Sequence, residues 1–560
     1  MATRELFGLD WLGLPESLQE TFRHGEVFTR RWVVEAILDM VGYTADRDLA
    51  DLLTVEPACG AGAFLGPIIE RLSASCHAHG RSLLDAVDAV EACDLLAPNV
   101  RLSQDLVTRQ LLADGWQSRH VDKVVQSWIW QGDYLLTDHE RRPADFVVGN
   151  PPYIRLEDIP DARMNAYRSA CPTMGGRADI YIGFYEVGLR SLKPGGRLGF
   201  ICADRWMRNQ YGRRLRELVT RRYGVELVLI MHDVGAFHEQ VSAYPAITVI
   251  RNAPQGQAIA ADTTAAFGPA ESKELWAWIV KSDQNSVRSP SYHAARLPHW
   301  FPGEDSWPAA SPARLAVLED LSARFPLLED RSTGTRVGIG VATGADEVFI
   351  THYEHRADVE DDRLLPLAMV RDTASGVLDW GGAYLVNPWN SHGNLVDLAD
   401  YPRLADHFEE HGDVLRRRYT AIKQPHRWYK TIDKVDHRLI RKQKLLFPDM
   451  KLTIHPVLDN GSLYPHHNLY YIVSDVWDLR VLGGLLLSKV AEAFVAAYAV
   501  KMRGGTLRFQ AQYLRKIRVP YPSEISAADR VALADAFDRR DAQAATRAAL
   551  RAYGLTELPD

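Results

Sequence analysis

At 560 residues the chain is longer than one hydrophobic core ordinarily serves, so two domains or more are expected. Its 46% hydrophobic and 24% charged content fits a globular protein and excludes a chain dominated by disordered tails. A net charge of −7 excludes a uniformly cationic nucleic-acid coat, so any phosphate-binding surface has to be local.

In chain order, the N-terminus shows no basic segment followed by an apolar core, and no secretory signal is expected. Between residues 50 and 250 short β-branched or apolar runs alternate with helical patterns, predicting an α/β fold with a mostly parallel sheet flanked by helices. The predicted strands are 53–56, 89–94, 145–149, 196–203, 226–231 and 246–251. These place a first, catalytic domain at 1–252. Residues 253–312 are rich in Ala, Ser, Gly, Pro and Asp without clear period and read as a linker or excursion. A second, mixed α/β domain is expected over 313–522, and a helical C-terminal tail over 523–560. The apolar stretch from Leu482 to Val500 contains Lys489 and Glu492, which reads as a buried or amphipathic helix and not a membrane span. No fixed-period repeat is present. Five cysteines, without a CxxC pair, fit a reducing cytoplasm and give no metal-ligand set.

Three acidic positions and two glycines suggest an adenosine-containing ligand. Glu56-Pro57-Ala58-Cys59-Gly60-Ala61-Gly62 follows a strand and precedes a helix starting near Phe64, and its glycines let backbone approach a ligand at a strand's carboxyl end. The GxGxxG spacing of a pyrophosphate loop is absent. Asp94 ends the next strand, where a carboxylate can accept both ribose hydroxyls, with Glu91 as a substitute; Asp133 closes a further apolar segment and can accept from an adenine amino group.

The sharpest signal is Asn150-Pro151-Pro152-Tyr153, directly after the strand 145–149. The two prolines fix the backbone and remove two N–H donors, leaving the Pro151 carbonyl to accept beside the Asn150 side-chain oxygen. An exocyclic amino group is a poor nucleophile because its lone pair is delocalised into the ring. Two acceptors aimed at its N–H bonds localise that pair as charge develops, and Tyr153 offers a face for the base.

On these residues the chain resembles the gamma-class, TaqI-like adenine-N6 DNA methyltransferases of restriction–modification systems, from about residue 25 to 520. The family's blocks appear as His24-Gly25-Glu26-Val27-Phe28-Thr29, then the Glu56 to Gly62 turn, Asp94, Asp133 and Asn150 to Tyr153, in the family's order. Arg30 and Arg31 stand where the family has a proline. The resemblance implies a Rossmann-like, S-adenosylmethionine-dependent domain followed by a target-recognition domain. It implies that Thr29, Glu56, Pro57, Ala58, Gly60, Gly62, Asp94 and Asp133 bind the cofactor, with Asn150 and Pro151 bordering it. Val234-Gly235-Ala236-Phe237 matches the loop whose aromatic stacks on an extruded base opposite Tyr153. Gly338 to Gly344, Phe349, Trp428-Tyr429 and Arg503-Gly504-Gly505 resemble the target-recognition domain.

Duplex DNA is the expected partner, with a separately encoded restriction endonuclease beside it and no membrane. From Arg416 to Lys451 twelve Lys or Arg face three Asp, a net +9, and a second Arg-rich run spans Arg208 to Arg222. Phosphate contacts are therefore expected from Arg208, Arg213, Arg214, Arg416, Arg417, Arg418, Lys423, Arg427 and Arg503. Three alternatives compete with this reading. The Asn-Pro-Pro-Tyr turn also serves methyltransferases of ribosomal RNA and of protein glutamine, which are shorter. A non-catalytic DNA-binding subunit conflicts with the intact motif. A fused nuclease would rest on Asp262 and Glu271-Ser272-Lys273 alone.

Overall fold

The computed structural model describes residues 27–137, 142–155, 158–238, 244–451, 453–499, 507–508 and 510–559. His24, Gly25, Glu26 and the Arg503-Gly504-Gly505 motif lie outside the described residues. Two compact units span residues 1–316 and 317–560.

The first unit is built on ten strands: β1 (Thr54–Glu56), β2 (Val90–Asp94), β3 (Ile129–Gln131), β4 (Ala144–Gly149), β5 (Leu192–Ala203), β6 (Gly224–Ile230), β7 (Pro245–Arg251), β8 (Ala258–Thr263), β9 (Ser286–Arg288) and β10 (Tyr292–Leu297). They form one sheet in the order β3-β2-β1-β4-β5-β7-β6-β8-β10-β9. The run from β3 to β5 is parallel, and β7 lies antiparallel between β5 and β6. β1 and β4 are buried along their length, as strands covered by helices on both faces must be. One face packs Val33, Ile37 and Val41 of helix Arg31–Val41 with Leu65, Ile68, Ile69 and Leu72 of helix Leu65–His79. The other packs Tyr181, Tyr185 and Leu189 of helix Tyr181–Ser191 with Leu215 and Val219 of helix Arg213–Arg222. The α/β architecture is the Rossmann-like one expected, and all six predicted strands are present with ends shifted by up to four residues.

The region expected as a linker or excursion is structured. Residues 253–312 contribute β8, β9 and β10, which extend the sheet by three strands, and helix Pro269–Lys281. Its Ala-rich strands lack the β-branched pattern that marks the others, which is why the region reads as irregular. Trp300 and Trp307 pack with Trp206 on the second face of the sheet. Asp262 sits on β8, and Glu271 accepts from the Gly268 amide at the start of its helix, so that acidic pair serves secondary structure.

The second unit contains two four-stranded sheets. β11 (Arg336–Ile339), β15 (Lys444–Pro448), β17 (Val457–Asp459) and β19 (Leu469–Val473) form one; β12 (Ile350–His352), β13 (Leu364–Ala368), β14 (Ala383–Val386) and β18 (Tyr464–Pro465) form the other. A two-residue pair, β16 (Met450–Lys451) with β20 (Leu507–Arg508), stands apart. Residues 523–560, expected as a helical tail, form two helices. Helices Ala527–Asp538 and Ala542–Tyr553 pack on Leu479–Leu487, so closely that a Cβ on Gly484 would lie 2.3 Å from the Leu533 carbonyl oxygen. Among the described residues no single helix is long and apolar enough to cross a membrane.

Candidate active site

The strand order places four polar side chains at one edge of the sheet. Asp133 follows β3, Asp94 closes β2, Glu56 closes β1 and Asn150 follows β4, and these strands are neighbours in that order. The order reverses between β1 and β4, and an open parallel sheet leaves its ligand crevice at the carboxyl ends beside such a reversal. A cleft open to solvent lies there, walled by Val27 to Thr29, Glu56 to Ala61, Asp94, Asp133, Asn150 and Pro152. Leu95, Leu96, Leu135, Ile180 and Phe184 supply its apolar surface.

The turn after β1 takes its shape from two glycines with positive φ, 51° at Gly60 and 90° at Gly62. Gly62 lines a shallower depression with Phe28, Thr29 and His238 rather than the main cavity. Asp94 anchors this turn: its carboxylate accepts from the amides of Gly60 (2.9 Å) and Leu96 (2.8 Å) and from Asn99 Nδ2 (3.2 Å). Burial nevertheless holds the Asp94 carboxyl above its ordinary pKa. Glu56 is fully enclosed, and its Oε2 has no hydrogen-bond partner. Burial, with the Asp94 charge adding to it, pushes the Glu56 carboxyl well above the usual carboxylate range. Such a group calls for a donor or cation from a ligand.

Asn150 is fixed from the far end of the unit. Its Nδ2 donates to the Val27 carbonyl at 2.8 Å and to Thr29 Oγ1 at 3.2 Å. A backbone carbonyl can only accept, so the amide nitrogen must face Val27 and the oxygen must face away. That oxygen, Oδ1, is buried and without a partner. An unmet buried acceptor costs about 1 to 3 kcal/mol, a reserve that a ligand N–H can recover. Pro152 lines the cavity, while Pro151 is buried and does not.

Thr29 and Phe237 form an antiparallel bridge, continued by Arg30 N–H to Ala236 O (2.9 Å) and His238 N–H to Phe28 O (3.0 Å). A proline at 30 has no amide to give, so Arg30 adds a strap between the two loops that the family's usual residue lacks. Arg31 pairs instead with Glu35 and Glu70. Phe237 meets Tyr153 edge-on, centroids 6.5 Å apart at 78°. The two rings are brought together as expected, yet a base between them requires one ring to turn. Asp133, buried and just 4% exposed, is ion-paired with Arg163 and accepts from Tyr167 Oη at 2.8 Å. Sequence reading missed both partners, because they sit on helix Asp161–Ala170, thirty and thirty-four residues downstream, with no motif to mark them.

The cationic residues divide. Arg208 pairs with Asp204, Arg213 with Glu304, and Arg214 donates to the Pro172 carbonyl at 2.9 Å. Arg416 pairs with Glu409 and lies over Trp428 at 3.8 Å; Lys423 and Arg427 lie over Tyr419 and Trp389. Arg417 and Lys423 are exposed. Arg418 corrects the expectation: it donates to the carbonyls of Thr343, Leu415, Trp428 and Lys430, so it clamps the fold and is spent for phosphate binding. Lys444, counted in the same basic stretch, is wholly buried against Asp459 at 2.6 Å. In the second unit Asp346, His466 and His467 gather with spacing compatible with a metal ion, a cluster that 120 residues of separation hide from a linear reading.

A family model described as the Eco57I restriction-modification methylase matches residues 87–237. The type II methyltransferase M.PaeR7I of Pseudomonas aeruginosa is 44% identical over 543 residues, covering 95% of this chain and 92% of its own length. M.XhoI of Xanthomonas vasicola, another type II methyltransferase, is 42% identical over 537 residues, covering 95% of this chain and 97% of its own. A solved structure of the type IIL restriction-modification enzyme MmeI in complex with DNA matches with a TM-score of 0.44 and 12% identity, covering 97% of this chain and 74% of that one. Likeness to these two methyltransferases, sustained along nearly the whole length, settles the family: the chain belongs to the type II restriction–modification DNA methyltransferases, whose methyl donor is S-adenosylmethionine.

Proposed function

We propose that the enzyme methylates the N6 amino group of an adenine flipped out of duplex DNA, as the modification partner of a separately encoded endonuclease. The observation that carries this reading is the buried, unpartnered Asn150 Oδ1, held outward by the bonds from its amide nitrogen to Val27 and Thr29. The cavity fits the cofactor: Glu56 offers an unmet acceptor, Asp94 a strand-end carboxylate and Asp133 an acceptor beside apolar Leu135 and Phe184. S-adenosylmethionine supplies an electrophilic methyl group there.

The remaining chemistry falls to the chain. Asn150 Oδ1 and the Pro151 carbonyl accept the two amino hydrogens, localising the nitrogen lone pair toward the methyl as positive charge develops. Tyr153 and Phe237 hold the base faces, each contact worth about 1 to 3 kcal/mol against an extrusion cost of a few kcal/mol. Arg417 and Lys423, exposed in the second unit, are free to meet solvent and would contact phosphates.

The test is product identification. Duplex DNA is incubated with isotopically labelled cofactor, digested to nucleosides and resolved. N6-methyl-2′-deoxyadenosine is expected. Label on the amino group of cytosine, which poses the same lone-pair problem, overturns the adenine assignment; label in protein or RNA only overturns the DNA substrate.

A further inference from the structure

Asp133 is not a lone acid at a strand end. Its Oδ2 takes both the Arg163 guanidinium and the Tyr167 hydroxyl, while Oδ1 takes the Leu135 amide at 3.2 Å. Arg163 is buried and lies behind the cavity wall, whereas Tyr167 forms part of it. Each carboxylate oxygen has two lone pairs, so Oδ1 retains acceptor capacity and neither oxygen can donate while the group is ionised. A buried cation within hydrogen-bond reach, joined by a hydroxyl donor, is the arrangement that keeps a buried carboxylate ionised.

We propose that Arg163 and Tyr167 are positioning residues that hold Asp133 as an acceptor-only carboxylate, so that the cavity selects a 6-aminopurine nucleoside and rejects its 6-oxo counterpart. This rests on the reading of Asp133 as the contact for the cofactor's adenine. The logic is one of donor and acceptor: a 6-amino group brings N–H bonds to a carboxylate, and a 6-oxo group brings a second acceptor to the same place. A site built for one polar pattern rejects the opposite pattern strongly, because a buried polar group is then left unpaired. Burial pushes the Asp133 carboxyl upward, opposed chiefly by Arg163 and then Tyr167 and the Leu135 amide. The other titratable neighbours, Cys93 and Cys171, are buried thiols pushed up in pKa and bring no charge. Without Arg163 the chief opposition to that upward push is lost, and the acceptor-only state is no longer held.

Calorimetry with S-adenosylhomocysteine and S-inosylhomocysteine on the full-length protein tests this without reference to turnover. Wild type is expected to favour the amino compound by at least about 100-fold. In Arg163→Gln and Tyr167→Phe the ratio is expected to fall at least about tenfold, and Arg163→Lys to restore much of it. Tyr167→Phe removes a single hydroxyl, so the test stands even where Arg163→Gln fails to fold. Equal wild-type affinities, or an undiminished ratio in Tyr167→Phe, overturn the proposal while leaving the adenosine site intact. Failure of wild type to bind either nucleoside overturns both.

Discussion

Asn150 shows how much of the chemistry is a matter of which atom faces where. The amide nitrogen is committed to Val27 and Thr29, so the oxygen is aimed before any substrate arrives. Such preorganised acceptors act mainly in the transition state. Asn150→Ala is therefore expected to lower turnover by at least about 100-fold while DNA affinity in gel-shift or anisotropy assays changes little. Near wild-type turnover would remove Asn150 from the chemistry. Phe237→Ala takes away one stacking face, and duplexes carrying 2-aminopurine at the target position should fluoresce less on binding this variant than on binding wild type. An unchanged signal would assign Phe237 to the hydrophobic cluster in which it is buried. At this scale the sequence was informative where chemistry needs a rare residue pattern, as in Asn150-Pro151-Pro152-Tyr153. It was silent on Arg163 and Tyr167, ordinary helical residues that matter through the contact they make.

On the proposed reading, the turn between β1 and its following helix is the element on which the cofactor seat depends. Gly62 has a left-handed φ of 90°, and a Cβ there would lie 2.6 Å from Leu106 Cδ2. Gly62→Ala thus meets backbone strain and a clash together, and a cost of about 1 to 2 kcal/mol is expected from the backbone alone. Weaker cofactor binding by calorimetry, roughly tenfold or more, with a thermal unfolding midpoint lowered by only about a few degrees, would locate that cost in the turn. Equal affinity would show that the turn relaxes freely. Strands were legible where β-branched runs met turn residues. β8 and β10 were not, because Ala258, Ala260, Ala261, Ala294 and Ala295 carry no such preference and owe their extended form to pairing with each other and with β6.

Across the whole molecule, charge is the property least legible in sequence. The stretch from Arg416 to Lys451 looks uniformly cationic, yet folding buries Lys444 and spends Arg418 on carbonyls. What remains exposed includes Arg417 and Lys423. If roughly five or more phosphates are neutralised, log affinity for duplex DNA should fall against log salt with a slope of magnitude at least about 4. Arg417→Glu with Lys423→Glu should flatten that slope and weaken all duplexes alike. A near-zero wild-type slope would argue against electrostatic docking. The bond from Asn150 to Val27 also ties together two occupancies, because Val27 to Thr29 wall the cofactor cavity that Asn150 borders. A ligand that steadies that segment steadies the acceptor too. By thermodynamic reciprocity the factor by which cofactor strengthens the hold on DNA must equal the factor by which DNA strengthens the hold on cofactor.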